Sequence, residues 1–280
     1  MNVEAATDPY TELLLEYYRS AAPVYDDWAG GVHRKTAQRL AQLAAVRPHD
    51  VVVDAGCGTG LVMRSFGAEG RRAARIVGID ISPAMLDIAH AQRPAGMPTA
   101  FGQGLVEDLL LRNDTADVVI LGLVLADTAE PMAVLHEARR VLRHGGRVIV
   151  SVMRQSLLTE VDSLFLAELR DVAQLIRLPE RPRTHDTIGE PHVLKRMLDS
   201  AGFLEIQTSS MVVGNHTENA HDFIELMRYE SPWMYSMVKL LGPTPRERLE
   251  RRLTGTLRFS EEGEEFRYHL PFTFAVATRP

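Results

Sequence analysis

The chain has 280 residues, with 31 Lys plus Arg against 37 Asp plus Glu, a formal charge of −6 and one cysteine, Cys57. At about 100–200 residues per domain this length makes one large domain or two small ones, and 45% hydrophobic with 24% charged residues excludes disordered, collagenous and low-complexity classes. A lone cysteine excludes an internal disulfide framework and fits a reducing cytoplasm, no Cys/His cluster has zinc spacing, so no metal is expected, and the negative balance argues against a nucleic-acid partner.

Met1 to Asp8 carries two acids and no base, unlike a secretory leader. The longest strongly apolar run, Val118 to Ala126, is too short to span a bilayer, so no membrane partner is expected and the chain reads as complete and soluble. Val51–Val53, Arg75–Ile79, Asp117–Leu121 and Gly146–Val152 read as buried strands, because they are short, β-branched and nearly continuously apolar. Helices alternate with them. Ser82 is an N-cap with Pro83 at the first helical position, opening a helix to about Gln92. Glu130-Pro131 opens another, with Met132, Leu135, Ala138, Val141 and Leu142 at helical spacing, which Gly145 and Gly146 are expected to end. This rhythm predicts an α/β fold with a doubly wound, mostly parallel seven-stranded sheet and right-handed crossovers.

The second half changes character. Leu157 to Ile176 reads as a helix and Leu178 to Pro191 as a loop. Glu190 to Ala201 reads as a helix stopped by Gly202, and Phe203 to Val213 as a strand. Asn219 to Leu241 reads as helical with a break near Pro232, Thr244 to Thr254 as a short charged helix, and Phe272 to Thr278 as the last strand. The expected organisation is an N-terminal helical cap at 1–40, a ligand-binding core at 41–155, helices and a sixth strand at 156–213, a helical cap insert at 214–263 and a final strand at 264–280.

The most informative stretch is Val51-Val52-Val53-Asp54-Ala55-Gly56-Cys57-Gly58-Thr59-Gly60. It puts an acid at a strand's carboxyl end, where open α/β sheets bind ligands, and follows it with glycines that let backbone approach a ligand closely. Asp80 ends the next strand, where acids accept hydrogen bonds from ribose hydroxyls. The glycine spacing is G-x-G-x-G, and Leu61 stands where a dinucleotide fingerprint would have glycine, which argues against a nicotinamide cofactor.

The sequence from Val53 to Gly60 resembles the first motif of class I S-adenosylmethionine (SAM)-dependent methyltransferases. Val77-Gly78-Ile79-Asp80-Ile81-Ser82 followed by Met85-Leu86 resembles their second, and Ala116–Val119 and Arg140–Val148 resemble their fourth- and fifth-strand signatures. The subgroup resembled is the small-molecule branch that includes ubiquinone/menaquinone C-methyltransferases and natural-product enzymes, with a Rossmann-like fold, and the likeness runs over about Tyr25 to Val152. It implies SAM as cofactor. It also implies that Asp54, Gly56 and Gly58 hold the methionine part, Asp80 the ribose diol, and Ile81 and Met85 the adenine. Leu121 would sit beside the sulfonium, and Tyr25 would cover the methionine carboxylate. The family pattern has an Asp after the third strand that reads the adenine amino group. Here Leu105 holds that place, followed by Val106, and leucine cannot accept that hydrogen bond. This departure favours the alternative reading, a SAM-fold protein used for cyclisation or for structural SAM binding.

Methyl transfer from a sulfonium is driven by orientation in a dry site, so spacing alone names no catalytic residue. His33, His185 and His216 are the weak candidates, with His221 beside them in the insert, should the acceptor need a base. The insert carries Phe223, Leu226, Met227, Tyr229, Trp233, Met234, Tyr235, Met237 and Leu241, and the N-terminal helix adds Leu13, Leu14, Tyr17 and Tyr18. Together these are expected to roof a hydrophobic cavity for a small, largely apolar acceptor. Ordinary core packing under a cap and a homodimer face are the competing uses of the same residues. The stretch Leu121-Gly122-Leu123-Val124 lacks the Asn/Asp-Pro-Pro-Tyr pattern of amino-methylating nucleic-acid enzymes.

Overall fold

The β-branched runs form the strands their burial demands. In the computed structural model, which describes residues 9–154, 165–167, 169, 187–257 and 266–280, β1 is Val51–Ala55, β2 Arg75–Asp80, β3 Thr99–Gln103, β4 Ala116–Gly122 and β5 Leu142–Met153. Two long strands close the sheet, β6 at Leu204–Thr217 and β7 at Phe266–Thr278. The order is β3-β2-β1-β4-β5-β7-β6. β1 to β5 run parallel, and β7 runs antiparallel to both β5 and β6. The strand order reverses between β1 and β4, so the crevice beyond their carboxyl ends is the ligand position of a doubly wound sheet.

Helices α1 (Pro9–Ala21), α2 (Trp28–Ala44), α3 (Leu61–Ala68), α4 (Pro83–Ala91) and α5 (Pro131–Val141) belong to the first half. α6 (Pro191–Ser200), α7 (Ala220–Arg228), α8 (Pro232–Leu240) and α9 (Pro243–Leu257) belong to the second. Ser82 caps α4, its hydroxyl accepting the Met85 N–H, with Pro83 opening the helix. One layer buries Leu40, Phe66, Ile76, Ile120 and Ile149 with Phe272 and Phe274. The other buries Val53, Val119, Leu121, Val134, Leu135, Leu198 and Phe203. Each such side chain contributes about 1.5–3 kcal/mol on burial, so the two layers dominate stability.

Four elements differ from the sequence reading. β3 was not legible as a buried strand because it is an edge strand, half-buried to exposed along its length. α5 ends at Val141, and Gly145 and Gly146 lie inside β5, where they exchange backbone hydrogen bonds with Arg279 at 2.9 and 2.8 Å. β6 runs on to Thr217 and β7 starts at Phe266, so the two strands pair past the boundaries set by their apolar cores. The polar residues of these extensions, such as His216 and Thr217, fall in the stretch 214–263 expected as a helical cap insert, and its first four residues are strand instead. The helix expected at 157–176 lies mostly outside the described residues. So does most of the loop expected at 178–191, although Phe165 and Leu169 are buried in the cap's own core.

Candidate functional site

Gly56, Gly58 and Gly60 have φ of 75°, 52° and 79°, the left-handed region where a side chain is strained. The turn folds back under β2. The Gly56 and Cys57 N–H groups donate to the Ile79 carbonyl at 2.7 and 3.0 Å, and the Gly58 N–H donates to Asp80 Oδ2 at 2.8 Å. A Cβ on Gly56 would lie 2.3 Å from Val124 Cγ2, so the loop after β4 presses against the turn itself. Cys57, in the turn, is buried, and burial pushes its thiol well up.

Asp54 and Asp80 end adjacent parallel strands and both are buried. Asp80 Oδ1 also accepts the Ser82 N–H at 2.9 Å. Desolvation raises the Asp80 carboxyl even so. Asp54 Oδ2 is buried with no hydrogen-bond partner. Burial first and the neighbouring Asp80 second push the Asp54 carboxyl up to about 7. A buried carboxylate oxygen without a donor is costly, and a ligand that brings one relieves it.

The N-terminal segment is clasped to this turn. Asp26 accepts from the Thr59 hydroxyl at 2.6 Å and from Arg64 Nη2 at 2.6 Å. Beyond it, Ala29, Gly30 and Gly31 form a left-handed turn at the start of α2. That turn sets His33 against Tyr25, ring centroids 3.9 Å apart and planes 3° apart. Burial holds His33 neutral, its imidazole lowered to about 3 despite Asp26 nearby.

Three cavities open around this cluster. The largest, about 320 Å³, is walled by Gly58, Asp80, Ile81, Met85, Leu105, Val106 and Glu107, and roofed by Tyr10, Leu14 and Tyr18 of α1. A second, about 40 Å³, lies between Asp54, Gly56, His33 and Thr36. A third, about 60 Å³, lies among Tyr17, Trp28, Met153, Trp233 and Phe272. Tyr25 and Leu123 line all three. Leu123 holds a left-handed φ of 61°, a conformation that costs a non-glycine residue about 1–3 kcal/mol. Its N–H is anchored to the Ser151 carbonyl at 3.0 Å and to the Ser151 hydroxyl at 3.2 Å.

Of the residues singled out from sequence, Tyr25, Gly56, Gly58, Asp80, Ile81, Met85, Leu105 and Val106 come together around the large cavity, and Asp54 lines the small one. Leu121 does not join them. Strand alternation turns it into the core with Val53 and Val119 and leaves Gly122 on the other face, while Leu123, past the end of β4 with its left-handed φ, leaves the alternation and faces the cavities with Gly122. Among the histidines, His33 reaches the site. His216 is exposed on β6 and lines none of the three cavities, His221 pairs with Glu250 at 3.1 Å, and His185 lies outside the described residues. The roof over the large cavity is α1. Phe223, Met234 and their neighbours form a separate core with Leu249 and Leu253, and the cap reaches the third cavity through residues 230–233. The loop 123–130 was missed, including Asp127, whose Oδ2 accepts the Tyr18 hydroxyl at 2.5 Å. That contact spans 109 positions and leaves no local trace. Among the described residues no group of three His, Cys, Asp or Glu could hold a metal ion, and no helix is long and apolar enough to cross a membrane.

Residues 53–150 match a methyltransferase domain family. A malonyl-[acyl-carrier protein] O-methyltransferase of Herminiimonas arsenicoxydans is 35% identical over 158 residues, 55% of this chain and 56% of the relative. The chain thus spans about half the length of the first curated relatives it matches. A ubiquinone/menaquinone biosynthesis C-methyltransferase of Shewanella frigidimarina is 25% identical over 226 residues, covering 74% of this chain and 89% of the relative. The structure of Haemonchus contortus phosphoethanolamine N-methyltransferase 2, solved with phosphomonomethylethanolamine and S-adenosylhomocysteine, superimposes with a TM-score of 0.56. It is 14% identical and covers 98% of this chain and 61% of that one, a likeness of fold.

Proposed function

We propose that this chain, whose residues 53–150 match a methyltransferase domain family, is a class I SAM-dependent enzyme that transfers a methyl group from SAM to a small, largely apolar acceptor. The observation that carries the reading is the meeting of three cavities at Tyr25 and Leu123. An adenosyl group, a methionine tail and an acceptor are three arms that must meet at one sulfur, and the volumes of about 320, 40 and 60 Å³ suit them in that order. The buried, unpartnered Asp54 oxygen supports it, because the amino group of the methionine tail supplies the donor that this oxygen lacks.

In this reading Asp80 takes the ribose diol through the lone pairs that Gly58 and Ser82 leave over. Ile81, Met85, Leu105 and Val106 flank the adenine by apolar contact. Asp54, Gly56 and Gly58 hold the methionine part, and Tyr25 covers it. SAM, when bound, supplies an already activated methyl group for in-line displacement. The chain's own task is orientation and exclusion of water, performed by the rigid Tyr25–His33 stack, the anchored Leu123 and the α1 roof. A wall bearing Asp54, Asp80, Glu107 and Asp127 also suits a cationic donor.

Calorimetric titration of the folded protein with S-adenosylhomocysteine tests the donor site, and absence of uptake would sink the reading. Labelled SAM offered with phenolic and quinol acceptors tests the transfer. Uptake of cofactor with no label passed to any acceptor would favour the non-methylating alternative.

A further inference from the structure

The chamber of about 60 Å³ beside Tyr25 and Leu123 holds two polar nitrogens with nothing to bond. Trp233 Nε1 and His33 Nδ1 are both buried and without a hydrogen-bond partner, and both side chains line this chamber. Other groups on the same wall are satisfied inside the protein. The Trp28 indole N–H donates to the Leu226 carbonyl at 2.8 Å, and the Tyr17 hydroxyl donates to the Tyr229 carbonyl at 2.8 Å. Buried polar groups of native proteins have partners, so two orphans on one cavity wall point to a ligand.

The chemistry of the missing partner follows from what each nitrogen offers. An indole N–H only donates. His33 stays neutral at physiological pH, because burial holds its imidazole at about 3, so its ring nitrogens include one lone pair and one N–H. Its ring is fixed between Tyr25, at 3.9 Å, and Trp28, at 5.1 Å. A hydroxyl carries what each nitrogen lacks. Its lone pair accepts from the indole, and its proton goes to the imidazole, or a second lone pair accepts from it. An ammonium has no lone pair for the indole, and a hydrocarbon edge answers neither. The space equals about two waters' share of liquid volume, enough for the oxygen-bearing edge of a ring.

We propose that Trp233 and His33 form the acceptor-recognition pair, and that the acceptor presents a phenolic or enolic hydroxyl on a planar apolar ring to this chamber. This deepens the methyltransferase reading and rests on it.

The test uses the protein's two tryptophans, which give two indole N–H resonances after 15N-tryptophan labelling. The S-adenosylhomocysteine-loaded protein is titrated with phenol, toluene and benzylammonium. Phenol is expected to move the Trp233 resonance downfield and saturably while Trp28 stays in place, with toluene and benzylammonium leaving Trp233 unmoved. Trp233→Phe keeps the ring and removes the N–H. It is expected to weaken phenol binding about tenfold, as loss of one buried hydrogen bond would, with S-adenosylhomocysteine affinity unchanged. No saturable shift with phenol, an equal shift with toluene or benzylammonium, or undiminished phenol binding by Trp233→Phe would each overturn the proposal. Failure of S-adenosylhomocysteine to bind is read in its own titration and defeats the donor site instead.

Discussion

Asp80 Oδ2 accepts the Gly58 N–H at 2.8 Å, so the acid that ends β2 also shapes the turn that follows β1. Its other oxygen takes the Ser82 N–H at 2.9 Å and fixes the start of α4. An amide at this position has one acceptor oxygen, and its NH₂ would face a backbone donor. Asp80→Asn is therefore expected to lower stability by about 1–3 kcal/mol and to weaken S-adenosylhomocysteine binding at least about tenfold. Denaturant unfolding and calorimetry measure the two effects.

Asp54 makes stability and binding depend on pH in opposite senses. Its carboxyl sits near 3.8 in the unfolded chain and is pushed up to about 7 in the fold, chiefly by burial. The folded state therefore holds the extra proton between those values. This group's contribution is fully present below pH 3.8, falls as pH rises through the window, and is lost above about 7. A ligand amino group pairs with the ionised form, so S-adenosylhomocysteine binding should tighten from pH 5 to 8 and release a proton near neutrality. Asp54→Asn should flatten both curves. Thermal melts of the ligand-free protein across pH, with calorimetry in buffers of differing ionisation enthalpy, decide the matter.

Gly56→Ala meets two penalties, a left-handed φ of 75° and a methyl 2.3 Å from Val124 Cγ2. The expected loss is about 1–3 kcal/mol of stability, with donor binding abolished. Adding Val124→Ala removes the clash and leaves the φ, so the double variant should recover stability only in part. Full recovery by the second change would show that sterics alone explain the glycine.

Leu105 is half exposed on the wall of the large cavity, at the place where the methyltransferase pattern that this sequence resembles implies an aspartate. Leu105→Asp supplies a hydrogen-bond acceptor for an adenine amino group. Affinity for S-adenosylhomocysteine is expected to rise several-fold, about the 0.5–1.5 kcal/mol of one net hydrogen bond. S-inosylhomocysteine, with oxygen in place of that amino group, should gain nothing. An equal gain for both ligands would locate the adenine elsewhere.

The parts of the site legible in the sequence are those whose chemistry lies within one strand-turn-helix unit. Asp54, the turn glycines and Asp80 all belong to such units, and their spacing reads directly as backbone geometry. Leu121 shows the limit, because a run apolar at every position carries no phase, and only the fold decides that it turns inward while Leu123 turns out. Asp127 with Tyr18 joins segments 109 positions apart, and His33 and Trp233, 200 positions apart in the chain, line one chamber; such meetings arise from packing that no local pattern encodes. The extensions of β6 and β7 were lost for a related reason. Their hydrogen bonds are made with each other, beyond the apolar core, so alternation of hydrophobic residues does not announce them.

The buried thiol of Cys57 gives the molecule a built-in reporter. It is the sole cysteine in the chain, and it belongs to the turn between Asp54 and Asp80, its Sγ 2.9 Å from where a Cβ on Gly78 would stand. A sulfhydryl reagent cannot reach it until that turn lifts from β2, so its alkylation rate counts openings of the turn. Occupancy by any molecule that clamps the turn should slow the labelling in proportion, with mass spectrometry reading a single adduct per chain.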